Sequence, residues 1–547
     1  MDKLNSYLLL GFFSLLIFLP GIAKMPVIDR DEAHFAQASR QMIQTGQYFQ
    51  IRFQEKTRFQ KPPGINWLQA GSVNLFSSAQ STSIWPYRIP SLLGALFSVL
   101  LTYFFSRRFV SRRTAGLATA LFASALLLVV EAHMAVIDTS LLFSVLLMQG
   151  ALWVIYQKAI DKQPVHWGWA GCFWLAMTYG LVLKGVTPLV GGLSVATLCI
   201  IERRMDWLRG LRIYRGLLLF TLVSFAWVLM VNAAENSNYL LQMIHKDLLP
   251  KLQGGHESHG KPPLFHLVIL PLTFWPASLF LWQGGTYAVR NRHNKVVKFL
   301  LAWLLPTWIF FELMPTKLPQ YVLPTFPAIA LLCALAIEKT EKIKLPGRWL
   351  HFLQILWGFL SLGFAFSLAL LPYLVMQQIP VISCILFAGL SGMTIICVYF
   401  AWQGAYYRAS IAVLISALVA YPLIFTELLP SLEPLWLTKN VVELIDRKQI
   451  SSAKPLLVVG FEEPSLVFNL NTNLVKFTDS EMAEKALQQD SSRLALIEPA
   501  LFAKWINNRR SYAIMAYTKG YNYTKGRWVE LFLIRQENMG EKQYVAL

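Results

Sequence analysis

Apolar residues in this chain come in long unbroken runs rather than in the spaced stripes of a water-soluble helix. The first occupies residues 7–23 (YLLLGFFSLLIFLPGIA), and similar runs recur as far as residue 430. A helix of about 20 apolar residues crosses a bilayer core. By that measure the pattern predicts about 13 spans, centred near residues 15, 97, 122, 148, 175, 194, 225, 275, 305, 329, 362, 390 and 419. A secretory signal would lead into a soluble chain, so the first run is expected to be a retained anchor.

An odd count puts the termini on opposite sides of the membrane. With Lys3 on the cytoplasmic side, alternation brings four basic clusters to that side: Arg107 to Arg113, Arg203 to Arg215, Arg290 to Lys298, and Lys339 to Arg348. Short loops rich in Lys and Arg belong there. The connections left for the outer face are 24–85, 131–139, 184–188, 234–264 and 314–320. Within the first of these, 32–45 and 66–76 have helical periodicity with aromatic residues on the apolar face, which predicts interfacial helices.

From residue 431 the pattern changes. Short strand-like runs at 456–459, 474–477, 494–497 and 528–533 alternate with helix-like stretches at 441–447, 480–489 and 501–507. The expected fold is therefore a polytopic α-helical membrane domain over 1–430, carrying the chemistry and including the outer loops 24–85 and 234–264. A small α/β domain over 431–547 is expected on the outer side.

Composition supports this division: 55% of the 547 residues are hydrophobic and 14% are charged. The net charge of +19 does not signal a nucleic-acid partner, because it is concentrated in the short loops that orient the chain. All five cysteines lie in apolar runs without metal-ligand spacing, and no disulfide is expected.

Ionisable residues beside spans are costly to place and are functional candidates. Asp29, Asp31 and Glu32 follow the first span in PVIDRDEAHFAQASRQM, where helix capping is the alternative role. Lys61 precedes a Pro-Pro turn in FQKPPGINWL, which fixes it at the mouth of a helix as an interfacial anchor or a cation for phosphate. Asp138 (EAHMAVIDTSLL) and Lys184 (VLKGVTP) stand at the outer ends of spans, as a structural ion pair or as part of an anion site. In HKDLLPKLQGGHESHGKPPLFH, His256 and His259 flank a glutamate without HExxH spacing, so an exposed loop and a divalent-metal site are both open. Lys261 repeats the Lys-Pro-Pro device. MPTKLPQYVLPTFPAIALL places Lys317, Gln320 and Tyr321 at an outer boundary.

Taken in order, DEAHFAQASRQMI, FQKPP, the Asp138 segment, LVLKG, the histidine-rich loop and KLPQYVLPTFPAIALL resemble the bacterial lipid A 4-amino-4-deoxy-L-arabinose transferase family. That family belongs to the GT-C glycosyltransferases and is related to the protein O-mannosyltransferases. The resemblance runs over about the first 340 residues. It implies inverting transfer of a sugar from an undecaprenyl-phosphate donor to lipid A, lipopolysaccharide or another envelope acceptor, on the periplasmic face of a bacterial inner membrane. It places Asp31, on the acceptor side, and Asp138 as the catalytic carboxylates and Lys61, Lys184 and Tyr321 around the donor phosphate; Lys261, by its repeated Lys-Pro-Pro device, is a further phosphate candidate. Glu32, His34, Gln60 and Lys317 are then expected near the substrate. No cofactor is demanded, and a divalent metal on His256 and His259 stays open.

Two positions depart from the family pattern: His34 stands where Arg is common, and Gln60 where Glu is common. The imidazole can be neutral near pH 7 and is a less dependable anion ligand than guanidinium. The amide removes a metal-binding carboxylate beside Lys61. The competing readings are a protein O-glycosyltransferase, a lipopolysaccharide-core transferase, and a transporter or flippase. Transporters tend to carry their ionisable groups at the bilayer midplane within repeated halves, whereas here they gather at one face.

Overall fold

The computed structural model describes residues 3–235, 238–250, 260–340, 347–447, 454–506 and 512–536. Among these, eight helices are long and apolar enough to cross a membrane, or up to ten if each of two bent helix pairs counts once. The pairs are Arg112–Ala123 with Leu126–Ala132, bent by 61°, and Phe265–Thr273 with Ala277–Arg290, bent by 115°. Three further apolar helices, Leu4–Phe18, Trp167–Leu183 and Thr187–Glu202, are shorter. Every expected run is thus a helix or a helix pair in a multi-pass membrane protein. Length alone supports eight to ten crossings rather than about 13.

A break in an apolar helix frees main-chain groups that lipid cannot satisfy. Here the two breaks satisfy each other. Leu126 N–H donates to the Trp275 carbonyl at 2.8 Å. Tyr421, on the helix Tyr406–Leu423, donates its hydroxyl to the carbonyls of Ser124 at 2.9 Å and Trp275 at 3.1 Å. The helices Asp138–Ile160 and Pro319–Lys339 are almost wholly enclosed by others, whereas Ile213–Glu235 lies at the edge with only Gly216, Trp227 and Val231 buried.

The segment after the first apolar helix folds into the helices Asp31–Thr45 and Gly64–Phe76, with a two-strand hairpin, β1 (Arg52–Phe53) and β2 (Lys56–Thr57), between them. Beyond the last membrane helix comes a five-stranded sheet of order β4-β3-β5-β7-β6. Its strands are β3 (Leu456–Val459), β4 (Val475–Phe477), β5 (Leu494–Ile497), β6 (Tyr512–Asn522) and β7 (Arg527–Gln536). The first three pair in parallel, and β7 joins β5 antiparallel and carries β6 at the edge. LLVV and LALI in β3 and β5 are buried at every position, as central strands covered on both faces must be. One face packs on Ala483, Leu487, Phe502 and Trp505, and the other on Leu437, Val441, Leu466 and Val467.

The sheet unit contains two elements that the sequence pattern does not indicate: strand β6 and the helix Pro464–Leu470. That helix lies against Asp31–Thr45. Arg40 is buried between them, with its guanidinium 4.1 Å from the Phe468 ring centroid and donating to the carbonyls of Phe468 (2.5 Å) and Ser81 (2.6 Å). Gln37 donates to Thr472 Oγ1 at 2.6 Å, and Gln54 to the Val475 carbonyl at 2.7 Å.

Candidate active site

The site is assembled around a buried ion pair that the sequence pattern does not single out. Arg88, on the helix Trp85–Ser106, is fully buried and uses all five of its N–H donors. Nε and Nη2 hold the two oxygens of Glu32 at 2.8 and 2.9 Å, Nη1 donates to the carbonyls of Ile22 (2.8 Å) and Met25 (2.7 Å), and Nη2 also donates to that of Pro26 (2.8 Å). Glu32 in turn accepts from Ile28 N–H at 2.8 Å and from Ala135 N–H at 2.7 Å. The expectation that Glu32 faces substrate is therefore corrected. Its carboxylate is spent on a frame that ties the loop before Asp31 to the loop before Asp138.

That second loop is pinned again by Ser91 Oγ, which donates to the Val136 carbonyl at 2.9 Å, and by Gln69, which donates to that of Ala135 at 3.0 Å. Asp138 then opens its helix, where a carboxylate suits the dipole, and accepts from Lys184 Nζ at 3.1 Å. The Lys184 ammonium sits 4.7 Å from the centroid of the Tyr321 ring. Gly64 keeps the Lys-Pro-Pro turn close to this pair, because a Cβ there would lie 2.6 Å from the Val182 carbonyl oxygen. The Lys61 ammonium lies 3.5 Å from Asp247, and its carbonyl accepts from the Tyr239 hydroxyl at 2.7 Å.

These charges form one electrostatic group. Tyr321 is within reach of Lys184, Lys61, Asp138 and Asp247. Glu131, buried on the helix Leu126–Ala132, is within reach of Asp138, Lys184 and Asp31. Asp31 opens its helix with an exposed side chain. The residues brought together are thus Asp31, Lys61, Asp138, Lys184 and Tyr321, to which the structure adds Glu131, Asp247, Tyr239 and Arg88. Glu131 and Arg88 carry a sequence signal, a charge inside an apolar stretch. Asp247 lies 186 residues from Lys61 and carries none.

The remaining expectations fall outside this group. Gln60 accepts from Arg58 Nε at 2.8 Å, and so braces the turn before Lys61. His34 Nδ1 lies 2.8 Å from the Arg30 carbonyl and its ring packs on Phe53. Burial, with the Arg58 charge second, pushes its pKa down to about 4, so it is neutral at pH 7 and supplies no charge to an anion. Lys317, expected near substrate, is buried and donates to the Lys261 carbonyl at 3.2 Å, within an isolated bridge between Gly260 and Thr316. Lys261 itself is exposed. That strip is held by His266, whose Nδ1 lies 2.9 Å from Glu312 and whose Nε2 lies 3.1 Å from the Leu318 carbonyl. His256 and His259 lie outside the described residues, and among the described residues no group of His, Cys, Asp and Glu could hold a metal ion.

Comparison with known proteins points the same way. Residues 60–230 match the family model for dolichyl-phosphate-mannose-protein mannosyltransferases. The undecaprenyl phosphate-alpha-4-amino-4-deoxy-L-arabinose arabinosyl transferase 1 of Pseudomonas fluorescens is 30% identical over 350 residues, covering 62% of each chain. The corresponding transferase of Pseudomonas paraeruginosa is 29% identical over 357 residues, 64% of this chain and 62% of its own. The matched segments thus span less than two thirds of those relatives. In fold, the structure of ArnT from Cupriavidus metallidurans bound to undecaprenyl phosphate superposes with a TM-score of 0.75 at 17% identity, covering 97% of this chain and 98% of that one. Its apo form gives 0.72 at 16% identity, with the same coverage. The expected resemblance and these matches converge: over their matched segments the chain is similar in sequence to aminoarabinose transferases, and it shares the fold of ArnT.

Proposed function

We propose that the protein is an inverting glycosyltransferase that moves a sugar from an undecaprenyl-phosphate donor to lipid A or a related envelope acceptor. The proposed setting is the periplasmic face of a bacterial inner membrane, with the N-terminus cytoplasmic and the sheet unit periplasmic. The observation that carries the reading is the convergence of Lys61, Lys184, Asp138 and Tyr321, with Glu131 in reach of both Lys184 and Asp31. The names of the relatives above support the donor class.

In the proposed reaction an acceptor oxygen attacks the anomeric carbon. The bond from that carbon to the phosphate oxygen breaks, and its electron pair leaves with the lipid phosphate. Negative charge grows on the phosphate as it departs, so fixed ammonium groups stabilise the transition state more than the ground state; Lys61 and Lys184 fill that role. Asp138 orients Lys184, and Tyr321 covers it. Where the acceptor is a hydroxyl, its proton passes to Asp31. Where it is an ionised phosphate, Asp31 orients it instead. Gln60 offers an amide already engaged by Arg58, a poor metal donor, and every step above is drawn from side chains.

Asp31→Asn keeps the shape of the helix start and removes the base. With purified protein in lipid and a radiolabelled polyprenyl-phospho-sugar, we expect transfer to fall by at least about 100-fold at unchanged melting temperature. Full activity of the variant removes Asp31 from the mechanism. The match of residues 60–230 to mannosyltransferases acting on proteins favours a second reading, a protein acceptor. Mass spectrometry of lipid A and of periplasmic proteins from cells with and without the gene separates the two.

A further inference from the structure

The turn that presents Asp31 holds an unfavourable backbone. Arg30 sits at φ 69°, ψ −108°, a region that is costly for a non-glycine residue and persists only where the surroundings impose it. The helix side contributes the Glu32 bond to Ile28 N–H and the His34 contact with the Arg30 carbonyl. The rest of the hold comes from the far end of the chain. Asp29 N–H donates to the Tyr523 hydroxyl at 2.8 Å, the Arg30 guanidinium donates to the Thr524 carbonyl at 2.8 Å, and the Asp29 carboxylate accepts from Ser465 N–H at 2.9 Å.

The part that makes these contacts is itself braced. Tyr523 and Thr524 sit in the turn between β6 and β7, which closes through Gly526 at φ 66°. Asn522 Oδ1 accepts from the N–H groups of Thr524 (3.0 Å) and Lys525 (3.1 Å). Glu463 Oε1 accepts from the Asn522 amide and the Thr524 hydroxyl, both at 2.7 Å. The Trp436 and Tyr523 rings pack edge to face, 6.3 Å between centroids. A hairpin fastened in this way can hold a strained backbone in place, which a mobile loop could not.

We propose that Tyr523 is a positioning residue for the transfer reaction: its hydroxyl, on the hairpin of the sheet unit, fixes the Asp29–Arg30 backbone and through it the placement of Asp31. The proposal rests on the reading of Asp31 as the acceptor-side carboxylate. It gives the sheet unit a direct part in the chemistry, because the last turn of its sheet becomes one wall of the acceptor-side turn. The role is one of geometry, since Tyr523 touches the main chain two residues before Asp31 and no reacting atom.

The test replaces Tyr523 by Phe, which keeps the ring on Trp436 and removes only the hydroxyl. Two measurements are made on the full-length protein in lipid: transfer kinetics with the polyprenyl-phospho-sugar, and amide hydrogen exchange over residues 28–34. We expect kcat to fall about tenfold, since small misplacement of a reacting group is expensive, with the donor KM and melting temperature unchanged and exchange over 28–34 faster. Arg30→Gly makes the left-handed turn inexpensive, so Tyr523→Phe should cost less in that background than alone. Unchanged exchange, or unchanged kcat in a protein that does transfer sugar, overturns the proposal. Faster exchange in a protein that transfers nothing leaves the backbone clamp standing and overturns the glycosyltransferase reading instead.

Discussion

Arg88 offers the sharpest test of how the site is held. Replacing it with Met keeps most of the side-chain length and removes five donors at once. The carboxylate of Glu32 stays buried with only Ile28 and Ala135 N–H as partners, and the carbonyls of Ile22, Met25 and Pro26 lose theirs. Removing one partner of a buried ion pair costs about 3–5 kcal/mol, and each orphaned carbonyl adds about 1 kcal/mol or more. The sum lies beyond the range of ordinary substitutions. Glu32→Gln should cost less, about 2–4 kcal/mol, because the shape survives. Both carboxylate oxygens already face two donors each, however, so the new NH₂ group meets N–H wherever it points. The assay is thermal unfolding of the detergent-solubilised protein, followed by tryptophan fluorescence. We expect Arg88→Met to melt many degrees below the native protein. The pair Glu32→Leu/Arg88→Met should be less destabilised than the two single changes together, since the double change leaves no lone charge. Native-like melting of Arg88→Met, or strictly additive singles, refutes the reasoning.

Other outcomes follow from the junction between the membrane helices and the sheet. Burial, with the charge of Glu463 second, raises the Asp29 carboxyl from 3.8 to about 7, while the nearby Arg30 opposes the shift. The folded state therefore binds this proton more tightly than the unfolded chain. Its contribution to stability is complete below pH 3.8 and falls by up to about 1.4 kcal/mol per pH unit until about 7. His34, lowered from 6.5 to about 4, has the opposite slope between those values, so the two offset each other until about pH 6.5. The advantage in melting temperature of the native protein over Asp29→Asn should thus shrink from pH 5 to 7.5; a constant difference contradicts the assignment. Arg40→Ala leaves the Phe468 and Ser81 carbonyls without their donor and should cost about 3 kcal/mol. Limited proteolysis should then release the sheet unit faster, and unchanged release would show that Arg40 does not fasten it.

Much of this architecture is legible in the amino-acid order, and the reason is local. Long apolar runs report helices in lipid because every main-chain group must bond within its own segment, and each run is a helix or a bent pair. The ordered Lys-Pro-Pro, Lys-Gly and Lys-Leu-Pro-x-Tyr motifs mark positions that the fold brings together. Strand β6 escapes notice because Lys, Thr, Gly and Asn interrupt its apolar positions and its register shifts between Ile514 and Ala516. The partners escape for a different reason: Lys61 with Asp247, Glu32 with Arg88 and Asp29 with Tyr523 meet across 186, 56 and 494 residues. No periodicity encodes such pairings. Lys317 shows the converse, a lysine in a suggestive motif whose ammonium is spent on a main-chain carbonyl.

The seam along the helix Asp31–Thr45 also bears on how a bulky acceptor gets in. Arg40 and Gln37 on that helix, with Gln54 and the Asp29 turn beside it, bolt the sheet unit in place through bonds that are buried or partly buried. Swinging the unit away would break them together, at about 1–3 kcal/mol for each buried group left unpaired, so an open state of that kind is thinly populated. A roof that does not lift leaves the sides. On the function proposed above, an amphiphile in the adjoining leaflet would then reach Asp31 by sliding sideways, with traffic through the site in the plane of the membrane.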